Sequence, residues 1–102
     1  MGSRPKLHEE FCGILESRNV YFTPPTSVKL IYPCIKYSLA QPNVLRANDG
    51  IYRVTDRYKV TVIDSNPDSE IYKSILTRFP MCSIEQMYFA ENLFHVVLTL
   101  YY

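Results

Sequence analysis

Tryptophan is absent from this 102-residue chain, and glycine and cysteine occur three times each. Gly2, Gly13 and Gly50 are far apart, so no glycine-rich loop exists to bring backbone amides around a phosphate. Cys12, Cys34 and Cys82 are odd in number and never form a C-x-x-C pair, which excludes a disulfide framework and the usual zinc spacing. Each sits among apolar neighbours and reads as a reduced thiol acting as a small hydrophobe. The two histidines, His8 and His95, have no His or Cys partner at helical spacing, so a structural or interface role is expected of both. No apolar run approaches the roughly 20 residues of a membrane-spanning helix; Lys36, Asp64 and His95 interrupt the longest stretches. The N-terminal residues lack the apolar core of a signal peptide, so synthesis in a cytosol is expected. Met1-Gly2-Ser3 is expected to be disordered or appended to the native chain. Net charge is small too. Eleven Lys and Arg against ten Asp and Glu give a net +1, with no run of one sign to grip nucleic acid.

What remains is enough for one domain. Hydrophobic residues make up 47% and charged residues 21%, ordinary globular proportions. Leu7, Phe11, Ile14 and Leu15 mark one face of an amphipathic helix, with Ser3 as cap, Pro5 in the first turn and Asn19 at its end. Val20–Phe22 is a short β-prone segment stopped by Thr23-Pro24-Pro25. Lys29–Leu39 reads as a strand whose Pro33 requires an edge position or a bulge. Gln41–Gly50 is polar and turn-rich, and Asn48-Asp49-Gly50 is the strongest hairpin signal in the chain. Tyr58, Val60 and Val62 alternate with Lys59, Thr61 and Ile63 in a strand ending at Asp64. Asn66 and Pro67 read as the cap and first residue of a second helix, with Ile71, Ile75, Leu76 and Phe79 as its stripe and Pro80 as its stop. Two strands follow: Ser83–Phe89, of ambiguous register, and Leu93–Tyr102, joined through a turn at Asn92. The expected fold is α+β in the order α-β-β-β-α-β-β, an antiparallel β-sheet with both helices packed on one face.

Candidate chemistry is thin. Asp64, Asp68 and Glu70 form the densest acidic group, but Asp68 and Glu70 are read as complements to a helix N-terminus. No residue is assigned to catalysis, to a cofactor or to a metal. Tyrosine is the compositional signal: nine residues against five phenylalanines. Its ring buries apolar area while its hydroxyl stays wet, which suits subunit interfaces. A chain this small cannot bury so many large side chains by itself.

Three stretches carry a family likeness: Ile31-Tyr32-Pro33-Cys34-Ile35-Lys36-Tyr37, Asp56–Asp64, and Asn66-Pro67-Asp68-Ser69-Glu70-Ile71. Pro80-Met81-Cys82-Ser83, Glu91-Asn92-Leu93-Phe94-His95 and the ending Leu100-Tyr101-Tyr102 complete it. In this order they resemble the short tail-completion, or tail-terminator, proteins of long-tailed bacteriophages, over nearly the whole chain. The resemblance implies a non-enzymatic virion protein of the neck, assembled in the bacterial cytoplasm. It implies a homo-hexameric ring at the head-proximal end of the tail tube, where it ends tube polymerisation. Its partners would be copies of itself, the major tail tube protein and the head-tail connector proteins. DNA would pass through the lumen without specific binding, and no membrane is involved. Such a ring needs one patch to fit a different patch on its neighbour. The candidate interface residues are Tyr32, Tyr37, Tyr52, Arg53, Arg57, Asn92, His95, Tyr101 and Tyr102. A head-closure or other minor tail role is an alternative within the same class. A small hydrolase or nucleotide-binding domain, and an RNA-binding module, are alternatives outside it. The final strand has no Lys or Arg, which counts against the last of these.

Overall fold

Leu7, Phe11 and Leu15 fall one above another on helix α1, Arg4–Leu15, and all three are buried. The protein is described by a computed structural model covering residues 4–24, 27, 29–47 and 50–102, with the side chains of 41–55 outside the description. Ser3, the expected cap, is among the residues not described. The helix ends earlier than Asn19: Glu16 takes the left-handed conformation (φ 57°), and the Ser17 amide donates to the Cys12 carbonyl at 3.2 Å. That pattern is a Schellman cap, with glutamate in the position usually given to glycine. Asn19 instead ties the following chain to Pro33, its side-chain amide donating to the Pro33 carbonyl at 3.4 Å.

Strands β1 (Val20–Phe22), β2 (Cys34–Ala47), β3 (Gly50–Asp64), β4 (Cys82–Ala90) and β5 (Leu93–Tyr101) form one sheet in the order β1-β2-β3-β5-β4. Helix α2, Ile71–Arg78, lies in the chain between β3 and β4. The order α-β-β-β-α-β-β is as expected, and the ladders are antiparallel except β1 with β2, which run parallel. A parallel pair needs a crossover rather than a tight turn. The segment between Phe22 and Cys34, with Pro24 and Pro33, supplies it.

One face of the sheet carries the core. Ile35 and Tyr37 on β2, Tyr58, Val60 and Val62 on β3, and Phe94, Val96, Leu98 and Leu100 on β5 meet Leu7, Phe11 and Leu15 of α1 and Ile75 of α2. Phe11 stands edge-on to Tyr37 (5.2 Å between ring centroids) and to Phe79 (5.8 Å), so both helices share one aromatic cluster. Such pairs add roughly 0.5–1.5 kcal/mol each beyond area burial. Arg78 reaches Glu10 Oε2 at 2.6 Å, an ion pair linking α2 to α1 without the alignment of a hydrogen bond.

Three further segment boundaries differ from expectation. Gln41–Ala47, expected as a polar loop, belongs to β2 and pairs with β3, Gln41 opposite Arg57 and Ala47 opposite Gly50. From Pro42 to Thr55 the two strands pair only with each other in the described ladders, and this arm contributes to a long axis of 51 Å against 25 and 23 Å. The expected turn residues Asn48 and Asp49 lie outside the described residues. At the front of β2, the strand begins at Cys34, so Pro33 precedes the ladder and needs no bulge. The second helix starts at Ile71 rather than Pro67. Asp64 Oδ1 accepts from the Asn66 amide at 3.0 Å, and Asn66 Oδ1 accepts from the Asp68 amide at 3.0 Å. These Asx contacts satisfy the local backbone as a turn, which competes with helix initiation. Glu70 holds the cap position of α2 with no side-chain cap bond and pairs instead with Lys73 at 3.2 Å.

Candidate assembly surface

The expected interface residues have different surroundings. Tyr37 is a correction: it is 2% exposed, a core residue with no surface to offer a partner. Its hydroxyl lies 2.7 Å from His8 Nδ1 and 3.5 Å from Arg4 Nη1. The guanidinium can only donate, so the hydroxyl accepts from Arg4 and gives its own proton to a neutral His8 ring. Burial and the nearby Arg4 charge both hold the His8 pKa below its ordinary value, in keeping with that arrangement. Burial raises the Tyr37 pKa. Tyr52 and Arg53 belong to β3, but their side chains lie outside the described residues.

Arg57 and Tyr101 are register partners on β3 and β5, both half-buried at the base of the arm. Tyr102 packs edge-on against Phe79 at 5.8 Å, so it closes the rim of the core. Asn92, exposed, forms the β4–β5 turn with Glu91, both at positive φ (64° and 54°) between the paired Ala90 and Leu93. This is the two-residue hairpin geometry that asparagine tolerates well, and it explains Asn92 without a partner. His95 stacks on Tyr88 across the ladder, 4.7 Å between centroids and 7° between planes. Tyr32 is 40% exposed beside Pro33.

The described members of this set do not form one patch. The side chains that do were missed in the sequence, and they lie on β4. This strand pairs with β5 on one side and with nothing described on the other. Ile84, Met87 and Phe89 pair with Leu98, Val96 and Phe94, so they point to the helix-bearing face, yet all three are exposed. A register shift between Ile84 and Gln86 explains their 84, 87, 89 spacing and the ambiguous period seen in the sequence. Edge strands are normally blunted by charge, proline or brevity. Over nine residues β4 has no Lys, Arg or Pro, and its one charge, Glu85, is turned to accept a hydrogen bond from the Thr99 hydroxyl. The scarcity of charge over Cys82–Ala90 was the available signal.

The opposite face of the sheet mixes Lys36, Lys59 and Thr99 with buried Cys34, Ile63 and Val97. A concavity of about 370 Å³ there is lined by Lys36, Lys59, Thr61, Gln86 and Tyr88, with Thr23 at its rim. Neither lysine appears in an ion pair among the described residues. No group of three or more His, Cys, Asp or Glu suited to a metal occurs among the described residues. His8 is engaged by the Tyr37 hydroxyl, and His95 stacks on Tyr88 with its Nδ1 at 3.1 Å from the Leu93 carbonyl. Burial raises the Cys34 and Cys82 thiols to about 11, which keeps both protonated at neutral pH and poor as nucleophiles. No described helix is long and apolar enough to cross a membrane.

No family model, curated protein or solved structure matches this chain.

Proposed function

We propose that this protein is a non-enzymatic assembly component that joins copies of itself into a closed ring, of the tail-terminator kind that its sequence resembles. In that role the ring, a homo-hexamer, caps the head-proximal end of a phage tail tube and faces the head connector. The observation that carries the assembly reading is the nine-residue free edge of β4, which lacks the usual guards and leaves Ile84, Met87 and Phe89 in solvent. Exposed apolar edges of this kind aggregate unless a specific partner covers them. The paired arm of β2 and β3 supports the same reading, since it extends the molecule along one axis where a neighbour or a tube end would meet it.

Mass measurement of the purified chain across a concentration series tests the assembly step. A ring of six gives six times the monomer mass, and isolated tail tubes lower the concentration at which it forms. Electron microscopy of particles lacking the protein tests the place in the tail. Overlong tails support termination, whereas tailless heads that leak DNA move the role to head closure. A chain that remains monomeric throughout and does not bind tube ends overturns the proposal.

A further inference from the structure

The nine large hydrophobic side chains left exposed among the described residues are not scattered over the molecule. Phe22, Ile31, Tyr32 and Leu39 lie at the β1 side of the sheet, where the Ile31 amide donates to the Tyr21 hydroxyl of β1 at 3.4 Å. Met81, Ile84, Met87, Tyr88 and Phe89 lie at the β4 side. Between the two edges, the described parts of β3 and β5 and the outer faces of both helices have none. The largest exposures belong to both groups: Ile31 at 60% and Leu39 at 48% on one edge, Phe89 at 63% and Met81 at 46% on the other.

Backbone groups follow the same division. β4 leaves one edge of its ladder open for nine residues. At the far edge β1 covers β2 only from Ile35 to Tyr37, so from Ser38 onward β2 is itself the edge. Strand direction then decides how two copies fit. β2 runs antiparallel to β3, β3 to β5, and β5 to β4, so β4 runs opposite to both β2 and its parallel neighbour β1. A second copy placed beside the first in the same orientation brings its β1–β2 edge against β4 as an antiparallel pair. That is the better of the two ladders per residue. The apolar residues also agree in face. Leu39 pairs with Tyr58 and Phe22 packs on Tyr37, both core residues, so these two share the helix-bearing side with Ile84, Met87 and Phe89.

We infer that β4 of one copy docks against the β1–β2 edge of the next, head to tail, making a continuous antiparallel sheet across the subunit boundary. The inference rests on the self-assembly reading above and names its joint. A two-fold contact of β4 with β4 would also be antiparallel, but it would leave Phe22, Ile31, Tyr32 and Leu39 uncovered. Two different patches at opposite edges are what a heterologous contact requires, and such a contact closes into a ring when its rotation divides a full turn.

Complementation between two variants tests it. Met87→Glu spoils only the β4 edge, and Leu39→Glu spoils only the β2 edge; both sites are exposed, and thermal melts check that each variant folds. The milder Met87→Ser and Leu39→Ser serve if either fails to fold. Each variant alone is expected to be monomeric by native mass spectrometry. Mixed in equal amounts they form a heterodimer and nothing larger, because one intact β4 edge meets one intact β2 edge. If Leu39→Glu still assembles alone while Met87→Glu does not, the joint is symmetric through β4. The inference then fails while self-assembly stands. If the unaltered chain stays monomeric at millimolar concentration and on tail tubes, both readings fail together.

Discussion

β4 and β5 are neighbours in one ladder, nine residues each and both rich in apolar side chains, yet one is almost wholly exposed and the other is buried or half-buried throughout. Hydrophobicity does not separate them. Position does: β5 lies between β3 and β4 and beneath the helices, and Phe94, Val96, Leu98 and Leu100 all enter the core. β4 has one neighbour, and Ile84, Met87 and Phe89 on the same face remain uncovered. Apolar area that folding leaves unused remains available to association, and among the described residues such area lies at the two edges of the sheet.

Truncation measures the difference directly. Leu98→Ala removes a fully buried side chain and is expected to cost about 2–5 kcal/mol of folding stability, by transfer loss and the cavity left behind. Met87→Ala, on the register partner side of the same ladder, is expected to cost under about 1 kcal/mol in the monomer. Urea unfolding of dilute protein reads both. Equal losses would mean that β4 is covered in the monomer and would remove the basis for docking there.

The polar contacts divide in the same way. Tyr37→Phe leaves Arg4 and His8 without the hydroxyl between them and is expected to cost about 1 kcal/mol. Tyr88→Phe keeps the ring stacked on His95 and is expected to be neutral within about 0.5 kcal/mol.

How far these features were legible in the sequence depends on what fixed each one. α1 was readable because Leu7, Phe11, Ile14 and Leu15 repeat with the helical period, and β5 because Phe94, Val96, Leu98 and Leu100 recur at every second position. Burial writes such patterns into a chain. The arm was missed because Gln41–Ala47, which pairs with β3, shows no apolar alternation in sequence. The start of α2 was misplaced because Asn66 and Asp68 serve an Asx turn as readily as a helix cap. At the candidate surface the tyrosine excess drew attention to Tyr37, whose hydroxyl found its partners inside the protein. The exposed edge went unseen because a one-residue shift after Ile84 breaks the period of β4. Which face of a strand stays bare is a property of the tertiary arrangement, and sequence carries it only through the lack of guarding charge.

Acid should weaken the covered half of the molecule selectively. The folded state lowers the His8 pKa from the 6.5 of a free histidine, so the unfolded chain takes up the proton first as pH falls. The unfolded state then binds more protons, and stability drops as pH descends below that value. His8 contributes its full share above it and loses that share through its folded pKa. Unfolding free energies between pH 8 and pH 5 should therefore decline in the native protein and decline less in His8→Asn. An unchanged slope in the variant would assign the acid sensitivity to other groups.

A stabilising change tests the role of helix cover most specifically. Gly13 is exposed on α1, near the C-terminal end of the helix, and an added Cβ meets nothing within 4 Å. Gly13→Ala should thus stabilise by about 0.5–1 kcal/mol, by lowering the backbone freedom of the unfolded chain and by better helix propensity. The melting temperature should rise by a few degrees. Native-state hydrogen exchange shows where the gain goes. Amides of α1 and β5 that exchange through global unfolding should slow by the full amount, whereas amides at the free edge of β4, open to solvent without unfolding, should keep their rates. If the β4 edge slowed equally, it would be exchanging only through global opening, and the contrast between the two strands would be one of side chains alone and not of backbone access.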